Sequence, residues 1–168
     1  MKYSVSMYKK LCRIVAEEQT VLKKKEEFIE QMNFLGLKST SIIQVCENPS
    51  YSANATERKL FLLEEYLKEA RDSEAIIDCA LKSTALIDYR YRDLFVQTYL
   101  LKDRNGKKRY PIHTAEEYGL DRRRFTKELD TALEKAMESE EMTALLNRIR
   151  DIAARNGREE YLNVFRRE

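Results

Sequence analysis

Residues 113–133 read HTAEEYGLDRRRFTKELDTAL. Gly119 stands alone between a short Ala/Glu segment and an apolar stripe at helical spacing, Phe125, Leu129, Ala132 and Leu133. Glycine takes up the left-handed backbone that ends a helix without steric cost. A short acidic side chain such as Asp121 caps the helix that follows. The stretch therefore predicts two helices joined by a tight turn. Thr114 caps the first, Asp121 caps the second, Ala115 is small where the helices approach, and Leu120 is the buried turn residue. The second helix runs to about Ser139. Such a pair packs at a steep angle, and its second helix offers its outer face, N-terminal end first, to the DNA major groove.

Three arginines follow the capping residue. At about 100° per residue the face opposite Phe125 carries Arg123, Lys127 and Asp130, flanked by Thr126 and Arg124. Arg123, Lys127 and Thr126 are the candidates for base edges, because the arginine fork donates two parallel hydrogen bonds to guanine. Arg122 and Arg124, with Lys107, Lys108 and Arg109 of the preceding loop, are the candidates for phosphates. Asp130 and Glu134 share the outer face and oppose a polyanion. A basic triplet is often only a solvated helix face, so the wider charge distribution bears on the choice. Residues 100–127 hold 9 basic and 4 acidic side chains, residues 1–99 hold 15 of each, and residues 128–168 hold 7 and 10. One window carries the basic excess of a chain whose net charge is only +2. A local positive field attracts nucleic acid even on a nearly neutral chain.

The remainder reads as helix. Only 4 glycines and 2 prolines occur in 168 residues, 36% of which are charged. That composition favours helices over turns. Residues 3–35 form a long helix with Tyr8, Leu11, Val15, Leu22, Ile29 and Met32 in its stripe, interrupted by Glu18 and Lys25, and stopped at Gly36. Residues 37–55 read as a linker with one small strand or turn. Thr56 caps a helix lined by Leu60, Leu63, Tyr66 and Leu67, and Ser73 caps the next. Asp88 starts a helix with Tyr91, Phe95, Val96, Tyr99 and Leu100 inward. Residues 101–111 form a loop with Asn105-Gly106 at its tip, in preference to a hairpin wing. After the two-helix unit comes a helix with Met142, Leu145, Leu146, Ile149 and Ile152. It stops at Asn156-Gly157, and a short last helix carries Tyr161, Leu162, Val164 and Phe165. The expected fold is all-α, a multi-helix bundle with a long N-terminal helix and a C-terminal helix-turn-helix unit over residues 113–139. Residues 1–55 make a first region of helix and linker, and residues 56–168 make a helical domain.

The stretch from Tyr89 to Ala136 resembles the C-terminal promoter-reading domain of sigma factors. The matching parts are Arg92-Asp93-Leu94-Phe95, the Tyr99-Leu100 pair, Thr114-Ala115-Glu116-Glu117, the turn Gly119-Leu120-Asp121, and Arg123 to Leu129. It is similar more narrowly to the late-gene regulators of Gram-positive temperate phages of the ArpU and RinA type, whose helix-turn-helix is followed by an Ala-Leu pair and another small residue, here Ala132-Leu133 and Ala136. Asp121 stands where that pattern usually has Ser or Thr, which keeps the cap and adds a negative charge. The resemblance implies a transcription regulator working in the cytoplasm of a bacterial host, with double-stranded promoter DNA and RNA polymerase as partners.

Other chemistry finds little support. Cys12, Cys46 and Cys79 are far apart and odd in number, which reads as reduced thiols. One histidine, His113, and three scattered cysteines do not make a metal site. No glycine loop cradles a nucleotide. No enzyme activity, metal or cofactor is expected. MKYSVSMYKKL lacks the apolar segment of a signal peptide, and no run of about 18 apolar residues would span a membrane. The tyrosines Tyr3, Tyr8, Tyr89, Tyr91 and Tyr99 read as core or interface. The long first helix packs on its own chain or on a second copy, which leaves a homodimer open. The competing functional reading is a helical protein-interaction module, for instance a phage-encoded inhibitor or adaptor, without DNA readout.

Overall fold

The computed structural model describes residues 3–37 and 49–166. Every named element in them is helical: α1 (Val5–Leu37), α2 (Pro49–Thr84), α3 (Tyr89–Phe95), α4 (Pro111–Glu117), α5 (Arg122–Met137), α6 (Glu140–Arg155) and α7 (Glu159–Arg166). The protein is an all-α multi-helix bundle. Its chain divides into two compact units, residues 1–19 with 75–168, and residues 20–74. Position 55, the expected boundary, lies inside α2.

The first unit holds the main core. Ser4 accepts a hydrogen bond from the Met7 amide at 3.2 Å and starts α1. Tyr8, Leu11, Cys12 and Val15 are then fully buried at helical spacing. The Tyr8 ring stacks on Phe95 with centroids 5.2 Å apart, and its hydroxyl pairs with that of Ser83 at 2.7 Å. Burial pushes the Tyr8 hydroxyl and the Cys12 thiol well above their ordinary ranges, so both stay protonated. Cys79 is likewise a buried free thiol, and Cys46 lies outside the described residues. Glu18, which breaks the apolar stripe of α1, is itself buried and ion-paired with Arg158. It departs from the stripe because its partner comes from the far end of the sequence. Tyr3, Tyr8 and Tyr99 join the core as expected and Tyr91 is half-buried, whereas Tyr89 is exposed. Tyr89 opens α3, outside its inward stripe.

Several expected boundaries move. α1 passes through Gly36 to Leu37, because a glycine costs a helix only about 1 kcal/mol and does not by itself end it. α2 merges two expected helices. Thr56 and Ser73 lie inside it, and the Ser73 hydroxyl donates to the Glu69 carbonyl at 2.9 Å instead of capping. No Gly or Pro separates residues 50–84, so nothing interrupts the backbone ladder to make a cap useful. Pro49 occupies the first helical position, where its missing N–H costs nothing. The linker expected over residues 37–55 is helical from Pro49 onward, and residues 38–48 lie outside the described part.

α2 ends where Arg92 reaches back to its terminal carbonyls, at 3.1 Å to Thr84 and 2.6 Å to Ala85. Asp88 caps α3 by accepting the Arg90 amide at 3.0 Å. α3 runs into a π-turn, Val96–Leu100, that buries Thr98, Tyr99 and Leu100. The following loop closes on a single antiparallel bridge, Lys102 to Lys108, with Asp103 accepting the Asn105 and Lys107 amides at 2.9 and 2.7 Å. α6 is capped by Ser139, ends at Asn156 and Gly157 as expected, and buries Met142, Leu146, Ile149 and Ile152. Tyr161 and Phe165 of α7 complete the core.

The second unit pairs residues 20–37 of α1 with residues 49–74 of α2. Lys25 and Glu69 join the two segments by an ion pair of 2.8 Å. On α2, Leu63 and Tyr66 are half-buried and Ala70 and Ser73 are buried. Leu60 and Leu67, expected on this face, are 55% and 37% exposed. At about 100° per residue they fall on the flank of the stripe that Leu63, Tyr66, Ala70 and Ser73 define.

Candidate nucleic-acid interface

Helix α4 begins at Pro111, three residues before the expected cap. Thr114 is therefore inside the helix and buried, its hydroxyl hydrogen-bonded to that of Thr98 at 2.8 Å. Gly119 sits at φ 64° and makes the expected turn. The Leu120 amide donates to the Ala115 carbonyl at 2.8 Å and the Gly119 amide to Glu116 at 3.1 Å, the paired bonds of a glycine helix end. Leu120 itself is 45% exposed, contrary to the buried role expected of it. The turn is closed by backbone bonds and needs no side chain from the core. Asp121 caps α5, accepting the Arg124 amide at 3.0 Å. Phe125, Leu129, Ala132 and Leu133 are buried as expected, with Ala136 and Met137, and α5 stops at Met137 rather than Ser139.

These six residues centre the buried side of α5 between Phe125 and Leu133, not on Phe125 alone. The outward centre is displaced accordingly, by about 40°. It runs through Lys127, Thr131 and Glu134, with Arg123 and Arg124 on either side, all exposed. Thr126 falls on the flank, half-buried, with its hydroxyl donating to the Arg122 carbonyl at 3.0 Å. Asp130 lies on the same flank and is ion-paired with Lys9 of α1. The carboxylate expected to oppose DNA thus carries its own cation, and the acidic side chain left on the outer face is Glu134.

The candidate phosphate ligands differ in how available they are. Arg122 is exposed at the start of α5, and Lys107 and Lys108 are exposed on the loop. Arg109 is half-buried and engaged, donating to Gln97 at 3.1 Å and to Glu117 at 3.2 Å, while its carbonyl accepts from Arg13. It braces the loop on α4. Arg124 is exposed but paired with Glu128 at 2.8 Å one turn along. That pairing holds the Glu128 carboxyl below its usual range, helped by a hydrogen bond from Tyr91 at 3.2 Å. His113 is exposed with its ring 6.2 Å from that of Tyr110.

The first turn of α5 is electrostatically at odds with the helix that carries it. A helix N-terminus bears about half a positive charge and favours acidic residues. α6 begins with Glu140 and Glu141, and α7 with Glu159 and Glu160. α5 begins with three arginines and no acidic residue. The cap Asp121 places a carboxylate at that end, and α1 to α4 likewise begin without an acidic residue in the first turn; what sets α5 apart is three consecutive exposed arginines.

Two hollows flank the two-helix unit. One, of about 690 Å³, lies between the start of α3 and the length of α5 and brings Arg90 and Lys135 beside Arg124 and Lys127. The other, of about 650 Å³, is framed by the basic loop, Tyr110 and His113. Arg90 and Lys135 escape the sequence reading because they lie 45 residues apart. The spacing Arg124, Thr131, Lys135 along α5 is the one signal of a second stripe. Among the described residues no group of His, Cys, Asp and Glu is placed to hold a metal, and no helix is long and apolar enough to cross a membrane. Comparison with protein-family models, curated proteins and solved structures finds no match to this chain.

Proposed function

We propose that the protein is a sequence-specific double-stranded DNA-binding regulator of transcription, of the phage late-gene type, that inserts the N-terminal half of α5 into the major groove. The observation that carries this reading is the first turn of α5. Three exposed arginines stand at a capped helix start, directly after a glycine turn, where they oppose the helix dipole. A phosphate or guanine edge at that end offsets the conflict, since both are electronegative and accept hydrogen bonds. Arg123 and Lys127 read base edges. Thr126, on the flank, contributes less to readout than its position in the sequence alone implies. Arg122, Lys107 and Lys108 neutralise phosphates, and Arg124 joins them when it leaves Glu128. Arg109 positions the loop. The protein works as a binding protein in the cytoplasm of a bacterial host, with no catalytic step, and RNA polymerase is its second partner.

Selection of bound duplexes from a random pool, at low and near-physiological salt, tests the reading. An enriched motif that survives the higher salt supports it, and a palindromic motif adds a homodimer. Binding that fades with salt and enriches nothing overturns it.

A second reading rests on the second unit. Leu60, Phe61 and Leu62 of α2 are 55%, 60% and 46% exposed. Large apolar side chains left in solvent on α2 favour a protein-interaction module if the pool enriches no motif.

A further inference from the structure

We propose that the hollow between α3 and α5 seats a strand of the DNA backbone, held by Arg90 and Lys135. The proposal rests on the DNA-binding reading and extends it to two residues outside the helix-turn-helix. Four cations line the hollow, Arg90, Arg124, Lys127 and Lys135, against the two carboxylates Asp88 and Glu128. Each carboxylate is matched by its own arginine, Asp88 by Arg90 at 2.8 Å and Glu128 by Arg124 at 2.8 Å. The charge in excess is that of Lys127 and Lys135. These face the hollow from two successive parts of α5, while Arg90 faces it from the opposite wall.

Shape selects the kind of ligand. Base edges lie at the bottom of a groove and are reached by a convex element, which is what the outer face of α5 provides. A concave trough instead receives a ridge, and the ridges of a duplex are its two phosphate strands. Leu86, Ala132 and Ala136 line the trough among these cations. From Arg124 to Lys135 the trough follows α5 for about 16 Å. That is long enough to meet more than one phosphate of a strand whose phosphates rise roughly 3.4 Å each along the duplex axis. Lys127 belongs both to the trough and to the outward face, so a helix seated in the groove brings the trough against the flanking backbone.

The carboxylate of Glu128 gives the idea its sharpest consequence. It faces the trough and occupies Arg124, so it opposes the strand and withholds a cation from it. Glu128→Gln should therefore bind DNA more tightly, although it touches no base.

The test measures affinity against salt for the full chain on a selected duplex and on random duplex. Each phosphate neutralised adds about 0.9 to the logarithmic salt slope. Lys135→Ala should lower the slope by about that amount, so that affinity falls about three- to fourfold less between 50 and 200 mM salt, and Arg90→Ala, whose charge Asp88 already offsets, should lower it by less. Sequence preference should stay unchanged. Glu128→Gln should raise low-salt affinity and steepen the slope. Because Arg90 also holds Asp88, Lys135→Gln serves as the variant that leaves α3 intact. If the wild-type chain binds its selected motif and the Lys135 and Arg90 variants keep its slope, the trough proposal is wrong and the DNA reading stands. If their sequence preference shifts instead, the trough reads bases and the backbone assignment is overturned. If the wild-type chain selects no duplex, both fall together.

Discussion

Arg123→Glu should make the protein more stable and abolish DNA binding at the same time. Arg123 is exposed in the first turn of α5. A cation at that position works against the helix dipole by about 0.3–1 kcal/mol, and an anion there gains a similar amount. Glutamate at 123 also stands four residues before Lys127, the favourable orientation for a helical ion pair, worth about 0.3–0.5 kcal/mol. The substituted side chain leaves no core contact behind. The net gain should be about 1–2.5 kcal/mol at low salt, and each kcal/mol raises the melting temperature of a chain of this size by about 2–4 °C. It should shrink as salt screens the dipole.

DNA binding should move the other way. Losing an arginine contact to a base edge costs about 1–3 kcal/mol, and the new carboxylate adds repulsion from the phosphates. Thermal melts at two salt concentrations and fluorescence anisotropy on a labelled duplex check both halves. A destabilised variant would refute the dipole argument, and with it the claim that the arginines are held there against local preference. A stabilised variant with unchanged DNA affinity would show that α5 does not enter the groove by this face.

Gly119→Ala should cost about 1–2 kcal/mol in denaturant unfolding, because its backbone is left-handed at φ 64° while no atom lies within 4 Å of an added Cβ; a neutral change would mean that the turn relaxes freely. Glu18→Ala should be among the more damaging single substitutions, by up to about 3–5 kcal/mol, since it removes a buried carboxylate ion-paired with Arg158. Urea titration of the double variant with Arg158→Leu should recover part of that loss, and no recovery would refute the pairing argument. Asp88 caps α3 and its carboxyl is pulled down to about 2, chiefly by the Arg90 side chain and amide. A carboxyl depressed in the folded state binds protons more readily when unfolded, so its contribution is full above the usual range near about 3.9 and fades as pH falls toward 2. Asp88→Asn should therefore flatten the acid limb of the stability curve between those values, and an unchanged limb would rule out the cap as its source.

The local signals in this chain were legible because each acts within a few residues. Asp88 and Asp121 cap their helices, and Gly119 and Gly157 end theirs, because these geometries involve only side chain and neighbouring backbone. The buried stripe of α5 and those of α6 and α7 follow from periodicity. Ser73 was misleading for the same reason: a capping side chain is equally at home inside a helix when it bonds to the carbonyl four residues back. Thr114 has the further pull of Thr98, sixteen residues earlier.

Sequence alone determined the helical class, the glycine turn, the cap of α5 and the basic charge at its start, since all are set by short-range sterics and by composition. Tertiary structure decided which of those charges are available. Lys9 reaches Asp130 from α1, Glu117 and Gln97 hold Arg109, and Arg158 meets Glu18 across 140 residues. It also turned the outward face of α5 toward Thr131 and brought Arg90 opposite Lys135. Charge and periodicity are properties of one segment, whereas pairing and exposure depend on which other segment folds against it.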